Sequence, residues 1–159
     1  MNPKAKGGKG TDLTSILNVF SAEGCRTEVY ISQSAGDITE RVPEIAEGHD
    51  VVVSCGGDGT IHEIANALAF RKTPMTCIPF GTGNDFVKTI LPTWKKWSFE
   101  TLLSCLDDIT IKTSDLIKID SYDIMGTHLQ NWSGYMNNVT SIGLDTEVQA
   151  RAKAIVETK

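Results

Sequence analysis

The sequence predicts an alternating α/β domain on a mostly parallel sheet over residues 1–115, giving way to antiparallel β structure over 116–159. Three observations carry this reading. Val51, Val52 and Val53 run into Gly56, Gly57, Asp58, Gly59 and Thr60, as a strand covered on both faces does when it turns into a helix. After one helical stretch and one apolar run, Gly81, Thr82, Gly83, Asn84 and Asp85 repeat the strand-to-glycine-turn pattern of a βαβ unit. Beyond Asp115 the periodicity changes to alternation, in DLIKID at 115–120 and in SGYMNNVTSI at 133–142, which puts a domain boundary near 113–116.

The elements follow in order. Residues 2–10 are a Pro/Gly/Lys loop. Leu13, Ile16, Leu17 and Phe20 recur at helical spacing, and Gly24 is a stop. Glu28 to Ile31 read as a strand. A second helix is expected over about 37–47, where Pro43 lacks a ladder N–H and predicts a kink or a shifted start. The strand at 51 leads into a helix beginning near Thr60, with Ile61, Ile64, Ala65 and Leu68 on one face. Residues 75–80 form the next strand, and further helices are expected near 84–90 and 98–106.

The glycine turns carry the chemistry. Gly56, Gly57 and Gly59 have no Cβ to block close approach, so successive N–H groups can turn inward as donors, beside the positive N-terminal end of the next helix. Asp58 and Thr60 add a carboxylate and a hydroxyl at the same rim. Handling of a nucleotide phosphate is implied, although a plain glycine turn with Thr60 as helix N-cap fits GGDGT alone. In a parallel sheet the second turn falls on the same edge, so Thr82, Asn84 and Asp85 are expected to face Asp58 there. Asp58, Asp85 and Asp115 on one edge suit the metal network of phosphoryl transfer. For Asp85 a helix N-cap interaction is an equal alternative.

Together with NPKAKGGKG at 2–10, GGDGTIHEIANAL at 56–68, IPFGTGNDF at 78–86, SDLIKI at 114–119 and NNVTSIGLDTEV at 137–148, the chain resembles the diacylglycerol kinase catalytic-domain family. That family comprises lipid kinases, including bacterial diacylglycerol kinases and the sphingosine and ceramide kinases. GGDGT is shared with NAD kinases and, loosely, phosphofructokinases, but its pairing with GTGNDF points to lipid kinases.

The resemblance implies an NAD kinase/diacylglycerol kinase-like fold, with a nucleotide-binding α/β domain over 1–115 and the beginning of a truncated β-rich lipid-binding domain over 116–159. Met1 and Asn2 stand where the family's first strand has already ended, so that strand is expected to be missing and the chain to be a fragment without activity of its own. ATP and Mg2+ are the implied cofactors, with the γ-phosphate passing to a lipid hydroxyl and diacylglycerol as the default acceptor. The implied ATP contacts are Asn2, Pro3, Lys4, Ser32, Gly56, Gly57, Asp58, Gly59, Thr60, Glu63, Thr82 and Asn84. Asp58 is the implied catalytic residue, in an electrostatic and metal-orienting role. Asp58, Asp85 and Asp115 are the implied metal residues, acting through water, with further ligands beyond residue 159. Competing readings are an NAD kinase-like enzyme and a nucleotide-binding or interaction module with no turnover.

Composition narrows the partners. A net charge of −5 and a pI of about 5.1 argue against nucleic acid as the main partner, although local basic patches remain compatible with them. Cys25, Cys55, Cys77 and Cys105 form no CxxC pair, so neither a zinc site nor a disulfide framework is expected. The apolar runs are far below the ~20 residues of a membrane span. The expected setting is cytoplasmic, with a lipid substrate met peripherally at a membrane surface; a homodimer is compatible.

Three local motifs need weighing. GGKGT at 7–11 lacks the earlier glycine and following hydroxyl of a P-loop, so it reads either as a glycine cradle with Lys4, Lys6 or Lys9 as counter-charge, or as a solvated basic turn. His62 and Glu63 begin an HExxH-like helix, but Asn66 replaces the second histidine and removes the zinc reading; Glu63 is instead expected to complete a capping box with Thr60. Ser32 is otherwise a plain strand-end serine. Trp94, Lys95, Lys96 and Trp97 combine interfacial rings with cations, as a membrane-docking patch does, though one core tryptophan beside solvated lysines fits better.

Overall fold

A computed structural model of the chain describes residues 1, 13–90, 110–122, 128–138, 146–148, 151 and 154; the loop at 2–10, the helix expected near 98–106 and the Trp94 to Trp97 stretch lie outside them. The elements are α1 (Leu13–Ala22), α2 (Asp37–Ile45), β1 (Val52–Gly56), α3 (Asp58–Ala67), β2 (Met75–Pro79), α4 (Asp85–Ile90), β3 (Ile117–Tyr122) and β4 (His128–Met136). β1 and β2 pair in parallel, from Val52 opposite Met75 to Gly56 opposite Pro79, with α3 as the crossover. β3 and β4 pair antiparallel, with a register irregularity between Asp120 and Tyr122. The expected change from parallel to antiparallel pairing is therefore observed.

Helices cover both faces of the parallel pair, as strands of β-branched residues without polar alternation require. On one face Ile16 and Phe20 of α1 pack on Cys55 and Ile78, with Met1, Val53 and Phe80 at the margin. On the other, Ile38 and Val42 of α2 meet Ile64, Ala67 and Leu68 around α3, while Ile61 packs with Cys77 and Val87 of α4. Ile61, Ile78 and Val87 have no exposed surface, and each such burial stabilises by about 1.5–3 kcal/mol. Among the described residues no helix is long and apolar enough to cross a membrane.

Three expectations need correction. Residues 28–31 form no strand among the described residues, because a ladder needs a neighbouring strand and the partner seen is Met1: its amino group donates to Tyr30 O at 2.7 Å, and Ser32 N–H donates to its carbonyl at 3.0 Å. α2 starts at Asp37 with Pro43 inside it, so the proline does not shift the start; it removes the one N–H that would meet the Thr39 carbonyl. α3 starts at Asp58 behind a Gly57 N-cap, not near Thr60. Thr60 is thus inside the helix and the capping box does not form. Glu63 instead accepts from Gly36 N–H at 3.2 Å.

Two substitutions in adjacent rungs test this core. Ile78→Ala should cost about 2–5 kcal/mol through lost burial and a cavity, seen as a lower urea midpoint. Ser54 is fully buried and its hydroxyl has no hydrogen-bond partner. Ser54→Ala should therefore leave the midpoint unchanged or raise it, since it removes an unpaired buried group costing about 1–3 kcal/mol.

Candidate functional site

The two glycine turns touch. A Cβ at Gly57 would lie 2.9 Å from the Gly81 Cα, and a Cβ at Gly81 would lie 2.5 Å from the Gly57 Cα and 2.7 Å from Asn84 Oδ1. Only hydrogen at both positions lets the ends of β1 and β2 come this close. A Cβ at Gly56 would meet the Thr60 side chain, which folds back under the same turn. Phe80 N–H donates to Gly56 O at 2.8 Å and carries the ladder to the turn itself. Asn84 closes the second turn: in left-handed backbone at φ 53, its Oδ1 accepts from Gly81 N–H at 2.9 Å while its Nδ2 donates to Gly81 O at 2.8 Å. Its side chain is buried in the turn, and Thr82 is exposed at the rim.

Two carboxylates meet at this edge. Asp58 Oδ1 accepts from Phe86 N–H at 3.1 Å, so the first residue of α3 holds the first turn of α4. Its Oδ2 and Asp85 Oδ2 lie 3.0 and 3.2 Å from the point where a Gly83 Cβ would stand. Gly83 thus leaves room between two acids. Lys88 Nζ pairs with Asp85 Oδ1 at 2.6 Å, in an exposed bridge that neutralises little. The Cys77 thiol beneath is pushed up to about 11, first by burial, then by the Asp58 charge and then by Cys55.

This set fits a hard cation that keeps most of its water, bound through one or two carboxylates and phosphate oxygens. Among the described residues no three His, Cys, Asp or Glu side chains come together as a metal cage, and Asp115 lies exposed in the segment before β3. The first-turn N–H groups of Asp58 and Gly59 have no acceptor within the helix, and Gly57 supplies no side-chain cap. They are donors for an anion at the same edge as the acids. That pairing of donors and acids suits a metal-bound phosphate.

The remaining residues separate. Ser32 is half-buried beside Met1, and Glu63 sits with Gly36 at the N-terminal side of α2. Asn2, Pro3 and Lys4 lie outside the described residues. Asn66 was not expected to matter beyond abolishing a zinc motif, yet its amide acts as a strand partner. Oδ1 accepts from Tyr135 N–H and Nδ2 donates to Tyr135 O, both at 2.8 Å, docking β4 on α3. The signal was an asparagine inside a helix, which is unfavourable without a partner. His62, one turn earlier, pairs through Nδ1 with Asn137 at 3.3 Å and borders a cavity of ≈ 220 Å³ with Glu63, Asn66 and Tyr135.

A family model described as the diacylglycerol kinase catalytic domain matches residues 1–119. A relative from Stenotrophomonas maltophilia (strain K279a), named a probable lipid kinase YegS-like, is 31% identical over 162 residues, covering 97% of this chain and 48% of its own length. The diacylglycerol kinase of Bacillus subtilis (strain 168) is 36% identical over 81 residues, 49% of this chain and 27% of that protein. A crystal structure of a diacylglycerol kinase from Bacillus anthracis str. Sterne superposes with a TM-score of 0.52 at 29% identity, covering 82% of this chain and 46% of that one. The fold is thus the NAD kinase-like fold of the diacylglycerol kinases. The chain spans about half the length of the relatives that it matches along almost all of its own.

Asn66→Asp should remove the donor and set a charge against the Tyr135 carbonyl, lowering stability by about 1–3 kcal/mol and speeding hydrogen exchange at Tyr135 N–H. Peptide-resolved alkylation at pH 8 should label exposed Cys25 and spare buried Cys55 and Cys77 until urea unfolds the domain.

Proposed function

As this chain belongs to the diacylglycerol kinase catalytic-domain family, we propose that it is the ATP-binding part of a magnesium-dependent lipid kinase, one that transfers the γ-phosphate of ATP to a lipid hydroxyl. Diacylglycerol is the default acceptor, by analogy with the names of its relatives. One observation carries the reading: the Gly57–Gly81 contact leaves amides and two acids around a shared, side-chain-free edge.

In this reading the N–H groups of Asp58 and Gly59 bind phosphate oxygens, which Gly57 and Gly81 let approach the backbone closely. Asp58 keeps Oδ1 on Phe86 and turns Oδ2 toward the cation position that it shares with Asp85. Mg2+ bound there would neutralise charge on the phosphate oxygens. Catalysis is positioning and electrostatics, and Asp58 orients rather than attacks. The lipid is met at a membrane surface, with its binding groups supplied beyond the nucleotide-binding half.

Calorimetric titration of this chain with Mg-ATP tests the first step. Asp58→Asn should weaken binding roughly 10- to 100-fold, the usual loss when a group orienting a metal is removed. Mg-ATP binding unchanged by Asp58→Asn and by Gly57→Ala would reject the site. A chimera joining this chain to the second half of the Stenotrophomonas maltophilia relative should phosphorylate diacylglycerol in vesicles. Binding without that transfer selects a nucleotide-binding module, and phosphorylation of NAD selects an NAD kinase.

A further inference from the structure

The chain leaves each of α1, α2 and α3 through a residue in left-handed backbone: Gly24 at φ 72, Gly48 at φ 77 and Phe70 at φ 62. Glycine is the ordinary choice after a helix, because a Cβ in this region crowds the neighbouring carbonyl oxygen. Asparagine is the usual substitute, and a bulky aromatic residue is an outlier. The turn after α3 is tight, with Arg71 N–H donating to Leu68 O at 2.9 Å and β2 beginning at Met75. A glycine at position 70 would serve it as Gly24 and Gly48 serve theirs.

Burial of the ring does not offset this strain. Phe70 is 87% exposed, the most exposed large apolar side chain among the described residues. Its ring meets Tyr135 of β4 edge-on, with centroids 5.4 Å apart and planes at 76°, and otherwise faces solvent. Arg71 and Lys72 follow directly, both exposed and in no ion pair among the described residues. A strained aromatic ring is thus held out beside two uncompensated cations.

We propose that residues 70–72 are a docking tip for an anionic membrane surface, with the Phe70 ring in the headgroup region and Arg71 and Lys72 against lipid phosphates. One ring and two cations make a contact far smaller than the ~800 Å² per partner that a stable protein interface buries. A bilayer needs no such area and no matching groove, since it deforms around a single aromatic side chain. The charge of the whole chain, −5, is repelled by anionic lipid, so contact is confined to a point where cations stand unpaired. The tip is at the opposite end of α3 from Asp58, so docking there leaves the glycine turns open to nucleotide. Its use in catalysis rests on the lipid-kinase reading; the docking itself does not.

Flotation of the full chain with vesicles, without nucleotide, tests the tip. The chain should float with equimolar phosphatidylglycerol and phosphatidylcholine, float less with phosphatidylcholine alone, and be released by high salt. Phe70→Gly should lower partitioning roughly tenfold, as expected for one lost aromatic anchor, while its urea midpoint stays the same or rises. Arg71→Glu with Lys72→Glu should abolish flotation at an unchanged midpoint. Equal partitioning of the parent chain and Phe70→Gly overturns the proposal, and so does a lower midpoint for Phe70→Gly, which would make the ring part of the fold. Sedimentation showing a dimer that Phe70→Gly dissociates, with no vesicle binding, would overturn it in favour of a second copy of this chain. Failure of the Mg-ATP titration bears on the kinase reading alone.

Discussion

The approach of Gly57 to Gly81 is the constraint from which the site follows. β1 and β2 can stay paired to their last residues only if neither turn carries a Cβ at the crossing, where a methyl group would lie 2.9 or 2.5 Å from the other backbone. Backbone has no flexible end to yield, so any side chain here must push the strand ends apart. With the turns in contact, the starts of α3 and α4 are neighbours, and Asp58 spans them by accepting from Phe86 N–H. Strand pairing, helix placement and the position of two acids are set together.

Much of this was legible because the relevant signals are local. Three valines ahead of glycines, helical spacing at Ile61, Ile64 and Leu68, and a second glycine turn one crossover later were enough for the parallel pair and its edge. The misread details depend on partners far away in sequence. Thr60 looks like an N-cap by residue type, but the close turn at Gly57 starts the helix two residues earlier, leaving Thr60 buried and Glu63 to pair with Gly36. Residues 28–31 have strand composition, yet a strand is defined by its neighbour, and Met1 supplies a single rung. Asn66 was invisible for a similar reason: its value lies in Tyr135, sixty-nine residues on.

Under the proposed function, Asp58 carries a structural and a chemical duty on one side chain. One oxygen is committed to the α4 backbone, which fixes the carboxylate's rotation and removes the entropy of ordering it later. The other oxygen, like Asp85 Oδ2, borders the space that Gly83 leaves without a side chain. A residue serving only the fold would not need the second acid beside it. One serving only a metal would not need the tie to Phe86. In the proposed site the two constraints together would hold a charge still before its partner arrives, so that binding has little reorganisation to overcome.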